Sequence, residues 1–353
     1  LVLKLNESKK IKRKLLESKP KYDNEDIIKT TKKLYSSHRV NPLKIELWKT
    51  KKGLSQKKLI IFMPGLAGDI NNFSWIGKEL SQRGWPIIFI DHKGSNSKAF
   101  KDVLEGKENI PGSAHFFSYR IKDLETVLKA HKNNTFELNN DNYILMGHSL
   151  GALIAFLYEG GIPKKGLVDR CNSALKDFAL TNLSKLLQCQ LDEIPLPEKD
   201  KAYKADAIIG FNSFGSLIWP NEKSSRINSP VLLIGGTFDL ITPLVSEQFK
   251  VFLSTVSNPL NRFLVIEGAS HFSPIKINNM DTKNNKSDDI FKINKTYIGL
   301  NPNSVQKLSL KVIIEFLNNL DRKESIQKIQ NQSDGILDFH ILDRKTLKKI
   351  IKD

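Results

Sequence analysis

Residues 147–151 read Gly-His-Ser-Leu-Gly and follow the apolar run Tyr143-Ile144-Leu145-Met146. A serine hydroxyl is a poor nucleophile at neutral pH. It needs a histidine to take its proton and a carboxylate to fix that histidine's tautomer. Glycines two residues before and two after Ser149 suit a sharp strand-to-helix turn, which strains its central residue and leaves no room for side chains on either side. Such a turn lifts the hydroxyl clear of a sheet and aims the N–H of Leu150 at the same spot. Partners for Ser149 follow in the order acid, then histidine. Asp239 ends the run VLLIGGTFD, and His271 follows FLVIEGAS, so each would project from a loop at the C-terminal edge of a strand. Taken singly, Asp239 could be a helix cap ahead of Ile241-Thr242-Pro243, and His271 a surface loop residue. Together with the serine turn the three point to nucleophilic acyl chemistry.

That chemistry also needs two backbone donors for the developing oxyanion. Leu150 would supply one. The second is expected from Pro64-Gly65-Leu66-Ala67-Gly68, where small residues let the backbone approach a substrate; Leu66 is the best-placed donor. Phe214, Leu217, Ile218 and Trp219 form an apolar stretch just past a strand end, suited to an acyl chain or to packing beneath a lid. His148 reads as a packed support, and His92, after PIIFID, as structural or as a pocket rim. His38, His115, His131 and His340 carry no usable pattern. No HExxH and no closely spaced Cys/His cluster occurs, so neither a metal nor a cofactor is expected.

Positioning these residues requires a sheet. Apolar runs at LIIFM, PIIFI, NYILMGH, DAIIGF, PVLLIGG and FLVIEG alternate with helix-like stretches such as NFSWIGKELSQRG, SYRIKDLETVLKAHK and LGALIAFLYEG. Strands recurring between helices argue an α/β fold with a mostly parallel central sheet covered by helices on both faces. Residues 1–40 read as a helical N-terminal extension, with apolar spacing at Ile11, Leu15, Leu16, Ile27, Ile28 and Leu34. Residues 41–320 would form the α/β domain, interrupted by a helical lid at 161–205 and an Asn/Lys-rich insertion at 274–300, with 321–353 as a C-terminal tail.

The chain has 353 residues and a net charge of +17. Residues 1–58 carry 18 basic and 6 acidic groups, so the excess sits mainly at the N-terminal end. Lysine dominates and arginine is sparse, which fits a compositional bias or a weak anionic surface contact through residues 1–58 better than specific nucleic-acid recognition. No apolar run approaches the roughly 18 residues of a membrane helix. The chain starts at Leu1 rather than Met, which leaves room for a preceding export signal.

The series PGLAG, DHKGSN, GHSLG, GGTFD and GASHF resembles the serine α/β-hydrolases over about residues 42–320. FFSYRIKDLETVL, FNSFGSLIWP and LNPNSVQKLSLKVIIEFL resemble the bacterial group described as predicted dienelactone hydrolases, related to platelet-activating-factor acetylhydrolases and polyester hydrolases. True dienelactone hydrolases use cysteine, whereas position 149 is serine. The resemblance therefore implies a carboxylic-ester hydrolase with catalytic Ser149, Asp239 and His271, oxyanion donors Leu66 and Leu150, substrate contacts at Phe214, Leu217 and Trp219, and a hydrophobic small-molecule ester as substrate. An acyltransferase with the same triad, or a non-catalytic binding protein on this fold, stays open. Because the group includes exported members, the only two cysteines, Cys171 and Cys189, are expected to form a disulfide in the lid of a periplasmic or secreted protein.

Overall fold

The apolar runs, five or six residues long and rich in β-branched side chains, fold as strands with almost no exposed positions. These are β3 (Leu59–Met63), β4 (Ile87–Asp91), β5 (Tyr143–His148), β6 (Ala207–Phe211), β7 (Val231–Gly236) and β8 (Arg262–Ile266). They pair in parallel in the spatial order β4-β3-β5-β6-β7-β8. The computed structural model describes residues 19–51, 57–107, 113–161, 165–176, 183–193, 204–276 and 300–352.

Successive strand residues point to opposite faces, and each face has its own helices. Leu59, Ile61 and Met63 pack with α3 (Ser113–Lys132) and α4 (Leu150–Gly160). Ile60 and Phe62 pack with α1 (Ser74–Ser81) and with the long helix Pro302–Arg322 on the other face. The two apolar layers fix the strand register, since a slip by one residue would exchange them.

Both chain ends differ from the sequence expectation. Residues 27–34 were expected in a helix but form strand β1 (Ile27–Leu34), antiparallel to β2 (Leu43–Thr50), which pairs antiparallel with β4. Ile27, Ile28, Thr30 and Thr31 are β-branched, and alternation against β2 outweighs the loose helical spacing. Residues 1–18 of that expected helix lie outside the described residues. The expected tail supplies β9 (Ile329–Ser333) and β10 (Asp338–Leu342), and β10 pairs antiparallel with both β8 and β9, completing a ten-stranded sheet. Phe339 and Ile341 join one core layer and Leu342 the other, so this segment is buried on both faces.

The excursion between α4 and β6 contains α5 (Leu167–Leu175) and α6 (Leu183–Cys189), linked by the disulfide Cys171–Cys189. Of the insertion expected at 274–300, residues 277–299 lie outside the described residues; Lys276 N–H donates to the carbonyl of Asn72 at 2.8 Å, tying its start to the segment before α1.

Candidate active site

Ser149 is the residue between β5 and α4, with φ 52° and ψ −118°. An L-residue rarely adopts a positive φ unless its surroundings impose it. A Cβ on Gly147 would lie 2.4 Å from the backbone carbon of Gly151, and one on Gly151 only 1.9 Å from the carbonyl oxygen of Met63. Both glycines are thus required by close backbone approach. Ser149 N–H donates to the carbonyl of Phe211 at 2.9 Å, locking the turn onto β6.

The loop after β3 lies directly against this turn. A Cβ on Gly65 would come within 3.2 Å of Ser149 Cβ and 3.0 Å of His148 Nδ1. Ala67, at φ 56°, donates its N–H to the carbonyl of Ser95. Among the described residues, no hydrogen bond engages the N–H of Leu66 or of Leu150.

Asp239 and His271 meet beyond β7 and β8. His271 Nδ1–H donates to Asp239 Oδ2 at 2.9 Å, with Oδ1 at 3.1 Å. The carboxylate also accepts from the N–H groups of Ile241 (3.0 Å) and Thr242 (2.8 Å), Thr242 Oγ1 (2.7 Å), Asn212 Nδ2 (2.7 Å) and Gln248 Nε2 (3.1 Å). Burial works against its ionisation, but His271 and the Thr242 donors more than offset this and hold the carboxyl below its usual range. An ionised acid held by this many donors fixes both the tautomer and the tilt of His271. Asp239 is not a helix cap, because the helix beyond it starts at Leu244 with Pro243 at its N-cap; its Oδ1 instead closes a turn by accepting the N–H groups two and three residues on.

His148 is a packed residue. Its ring lies 5.4 Å from Phe73 and 4.9 Å from His271, and Nε2–H donates to the His271 carbonyl at 3.0 Å. Burial, followed by the charge of His271, pushes its pKa down to about 3. It is neutral and ties the His271 loop to the serine turn. His92 is buried likewise and donates through Nδ1 to Asp123 Oδ2 at 2.8 Å; burial and the Arg120 charge push it down to about 4. It is a support under the site and does not rim it. His340, on β10, bonds Glu267 just beyond β8 and accepts from the Asn331 N–H on β9.

Of the expected substrate contacts, Phe214 and Trp219 are fully buried in the core layer containing α4, with Trp219 6.2 Å from Phe156. Leu217 is the partly exposed one, and the excursion grips it from both sides: Arg170 Nε donates to its carbonyl at 2.7 Å, and its N–H donates to Gln188 Oε1 at 2.8 Å. Phe238 and Leu240, which flank Asp239, are 42% and 52% exposed. Among the described residues no group of His, Cys, Asp and Glu is arranged to hold a metal ion, and no helix is long and apolar enough to cross a membrane.

Sequence reading missed Arg120 and Asp123. Both are buried on α3, in register with the apolar positions Phe117, Ile121, Leu124 and Val127. Charged residues falling on the apolar stripe of a helix are the signal that marks them.

Residues 55–176, about a third of the chain, match the family model described as serine aminopeptidase, S33. No curated protein matches the chain. The parallel sheet with helices on both faces, the serine turn between β5 and α4, and that match agree, and the chain belongs to the α/β-hydrolase superfamily.

Proposed function

We propose that this serine hydrolase of the α/β fold cleaves carboxylic esters with an apolar acyl or alcohol part. Ser149 Oγ attacks the ester carbonyl while its proton passes to His271 Nε2, and Asp239 holds the imidazolium that forms. The oxyanion of the tetrahedral intermediate lies against the Leu66 and Leu150 N–H groups. Collapse breaks the ester bond, His271 returns the proton to the leaving alcohol, and water repeats the sequence on the acyl-enzyme to release the acid.

The observation that carries this reading is the Asp239–His271 pair, buried and fixed by five further donors, in a loop that His148 binds to the strained Ser149 turn. Exposed Phe238 and Leu240 beside Asp239 favour an apolar substrate. The matched family's description raises a peptidase reading, in which a substrate's α-ammonium needs a free carboxylate. Glu247 is buried by the 213–219 loop, but it already accepts from Gly215 N–H, Ser216 N–H, Ser216 Oγ and Gln188 Nε2.

A fluorophosphonate probe, which labels only an activated serine, tests the nucleophile. Labelling at Ser149, with turnover of p-nitrophenyl esters and little of aminoacyl p-nitroanilides, is the expected result. Preference for the anilides would replace the ester reading with the peptidase one. Transfer of the acyl group to an added alcohol at the expense of free acid would make the protein an acyltransferase.

A further inference from the structure

Arg120 is 1% exposed. Among the described residues it forms no ion pair with a carboxylate; its donors go to the loop after β3 and to Ser95. Nη1 donates to the Pro64 carbonyl at 2.6 Å, Nη2 to the Gly65 carbonyl at 2.9 Å and to the Ser95 carbonyl at 3.2 Å, and Nε to Ser95 Oγ at 2.8 Å. Burying a guanidinium is costly, and four hydrogen bonds to one short stretch of backbone and its neighbour are what stabilise it. Burial pushes its pKa down to about 9, so it is charged at neutral pH.

The consequence lies on the far side of the peptide bond. In a trans peptide the carbonyl and the following N–H point in opposite directions. A cation that holds the Gly65 carbonyl toward α3 therefore holds the Leu66 N–H away from α3, and Gly65, which opens the same peptide, lies so near the serine turn that a Cβ on it would come within 3.2 Å of Ser149 Cβ. The Gly65 carbonyl also accepts from the Gly68 N–H at 3.1 Å, so without Arg120 this one turn bond is left to hold the glycine-bearing peptide, whose rotation would turn the carbonyl toward the developing negative charge. Ser95 backs the arrangement from behind, since its carbonyl also takes the Ala67 N–H. α3 is itself anchored: Asp123, one turn beyond Arg120, accepts from Arg39 Nε and Nη2, His92 Nδ1 and His38 Nε2.

Resting on the ester-hydrolase reading above, we propose that Arg120 is the positioning residue of the oxyanion hole, acting through the Gly65–Leu66 peptide and touching no substrate. Arg120→Lys keeps the charge but loses the planar fork, and Arg120→Gln loses both. Each is compared with wild type for ester kcat and KM, and for inhibition by a trifluoromethyl ketone, whose serine adduct carries an oxyanion. A misaligned donor is expected to lower kcat about 100-fold in Arg120→Gln, with KM within about threefold, and to weaken the ketone in parallel with kcat/KM. Arg120→Lys should fall between, and millimolar guanidinium ion should restore part of the kcat of Arg120→Ala. A merely structural role would lower melting temperature without this split.

Folded variants that keep kcat and ketone affinity within about threefold of wild type, or that lose activity through KM alone, overturn the proposal. If the Arg120 variants do not fold, Ser95→Ala takes their place, removing the Nε acceptor while leaving the charge. A drop in kcat and ketone affinity of about threefold or more supports the proposal, and smaller changes in both overturn it. A wild-type protein that neither labels with fluorophosphonate nor turns over esters refutes the functional reading instead.

Discussion

The two ends of α4 are built on different principles. At its N-terminal end, the Ser149 turn is held by backbone packed against backbone: Gly147 against Gly151, and Gly151 against Met63. At its C-terminal end the chain leaves through Gly161, at φ 82° with nothing within 4 Å of a would-be Cβ, into the α5–α6 excursion. There a disulfide, Arg170 and Gln188 do the holding. The first end has one geometry or none. The second is an assembly of separable side-chain ties, which can be loosened one at a time.

The largest expected effect at the rigid end is on chemistry. Ser149→Ala should lower kcat for a p-nitrophenyl ester by at least about 1,000-fold, while circular dichroism and melting temperature stay near wild type, because the lost hydroxyl leaves the turn's backbone contacts in place. More than a tenth of the activity remaining in purified variant would remove Ser149 as the nucleophile. An equivalent single substitution in the excursion, Arg170→Ala, should leave turnover of this small ester within about threefold.

Next comes stability. Gly151→Ala places a methyl 1.9 Å from the Met63 carbonyl oxygen, a backbone atom that can yield only by moving β3. We expect about 3 kcal/mol or more of destabilisation by urea unfolding. Gly161→Ala meets open space and should cost only the strain of its φ 82°, ψ −153° backbone, about 1 to 3 kcal/mol. Equal losses at the two glycines would erase the contrast between the ends.

The same contrast explains what the sequence made legible. Ser149, Gly147 and Gly151 are readable because a steric demand permits few residue types. The six parallel strands are readable because burial on both faces leaves unbroken apolar runs. Asp239 and His271 follow because each ends such a run. Strand β1 was not readable as a strand, since IIKTTKKL has one half-exposed face and its charges blur a period of two. β10 is as long as β3, but its run Asp338-Phe339-His340-Ile341-Leu342 is broken by a charge and a histidine, and its strand character depends on docking beside β8. Arg120 stayed hidden because its role comes from carbonyls about 55 residues away, which local pattern does not contain. The donors around Asp239 from Asn212 and Gln248 were hidden for the same reason.

The disulfide sharpens the comparison further. Closing the loop between Cys171 and Cys189 should stabilise the excursion by about 3 kcal/mol in the chain-entropy model. Reduction, or Cys171→Ser with Cys189→Ser, should speed limited proteolysis within residues 161–205 while Ser149 keeps its reactivity toward a small fluorophosphonate. Loss of labelling on reduction would mean that the serine turn depends on the excursion, and the two ends would then be one unit.

The most gradual effect is expected with pH, spread over several units, and it belongs to the side chains around the serine turn. His148 and His92 have folded pKa values of about 3 and about 4, both below the unfolded value of roughly 6.5. Below pH 6.5 the unfolded chain binds protons at these positions that the folded chain refuses, so folding weakens as pH falls. Each histidine contributes about 1.4 kcal/mol per pH unit, His92 down to about pH 4 and His148 to about pH 3. Asp123 adds in the same direction. Burial opposes its ionisation, but His92 and Arg39 hold its carboxyl well below the usual range, so the stability it confers above an ordinary carboxylate pKa is lost on further acidification. The unfolding free energy from urea titrations should therefore fall steadily from pH 6.5 to 4 with a slope of about two protons or more, since His131, which burial also holds below its usual range, adds in the same direction. The His92→Asn variant should show a slope about one proton shallower from a lower starting stability. A free energy flat across that window would mean that both histidines reach water when protonated, and that the packing of His148 between Phe73 and His271 is looser than the backbone contacts beneath it.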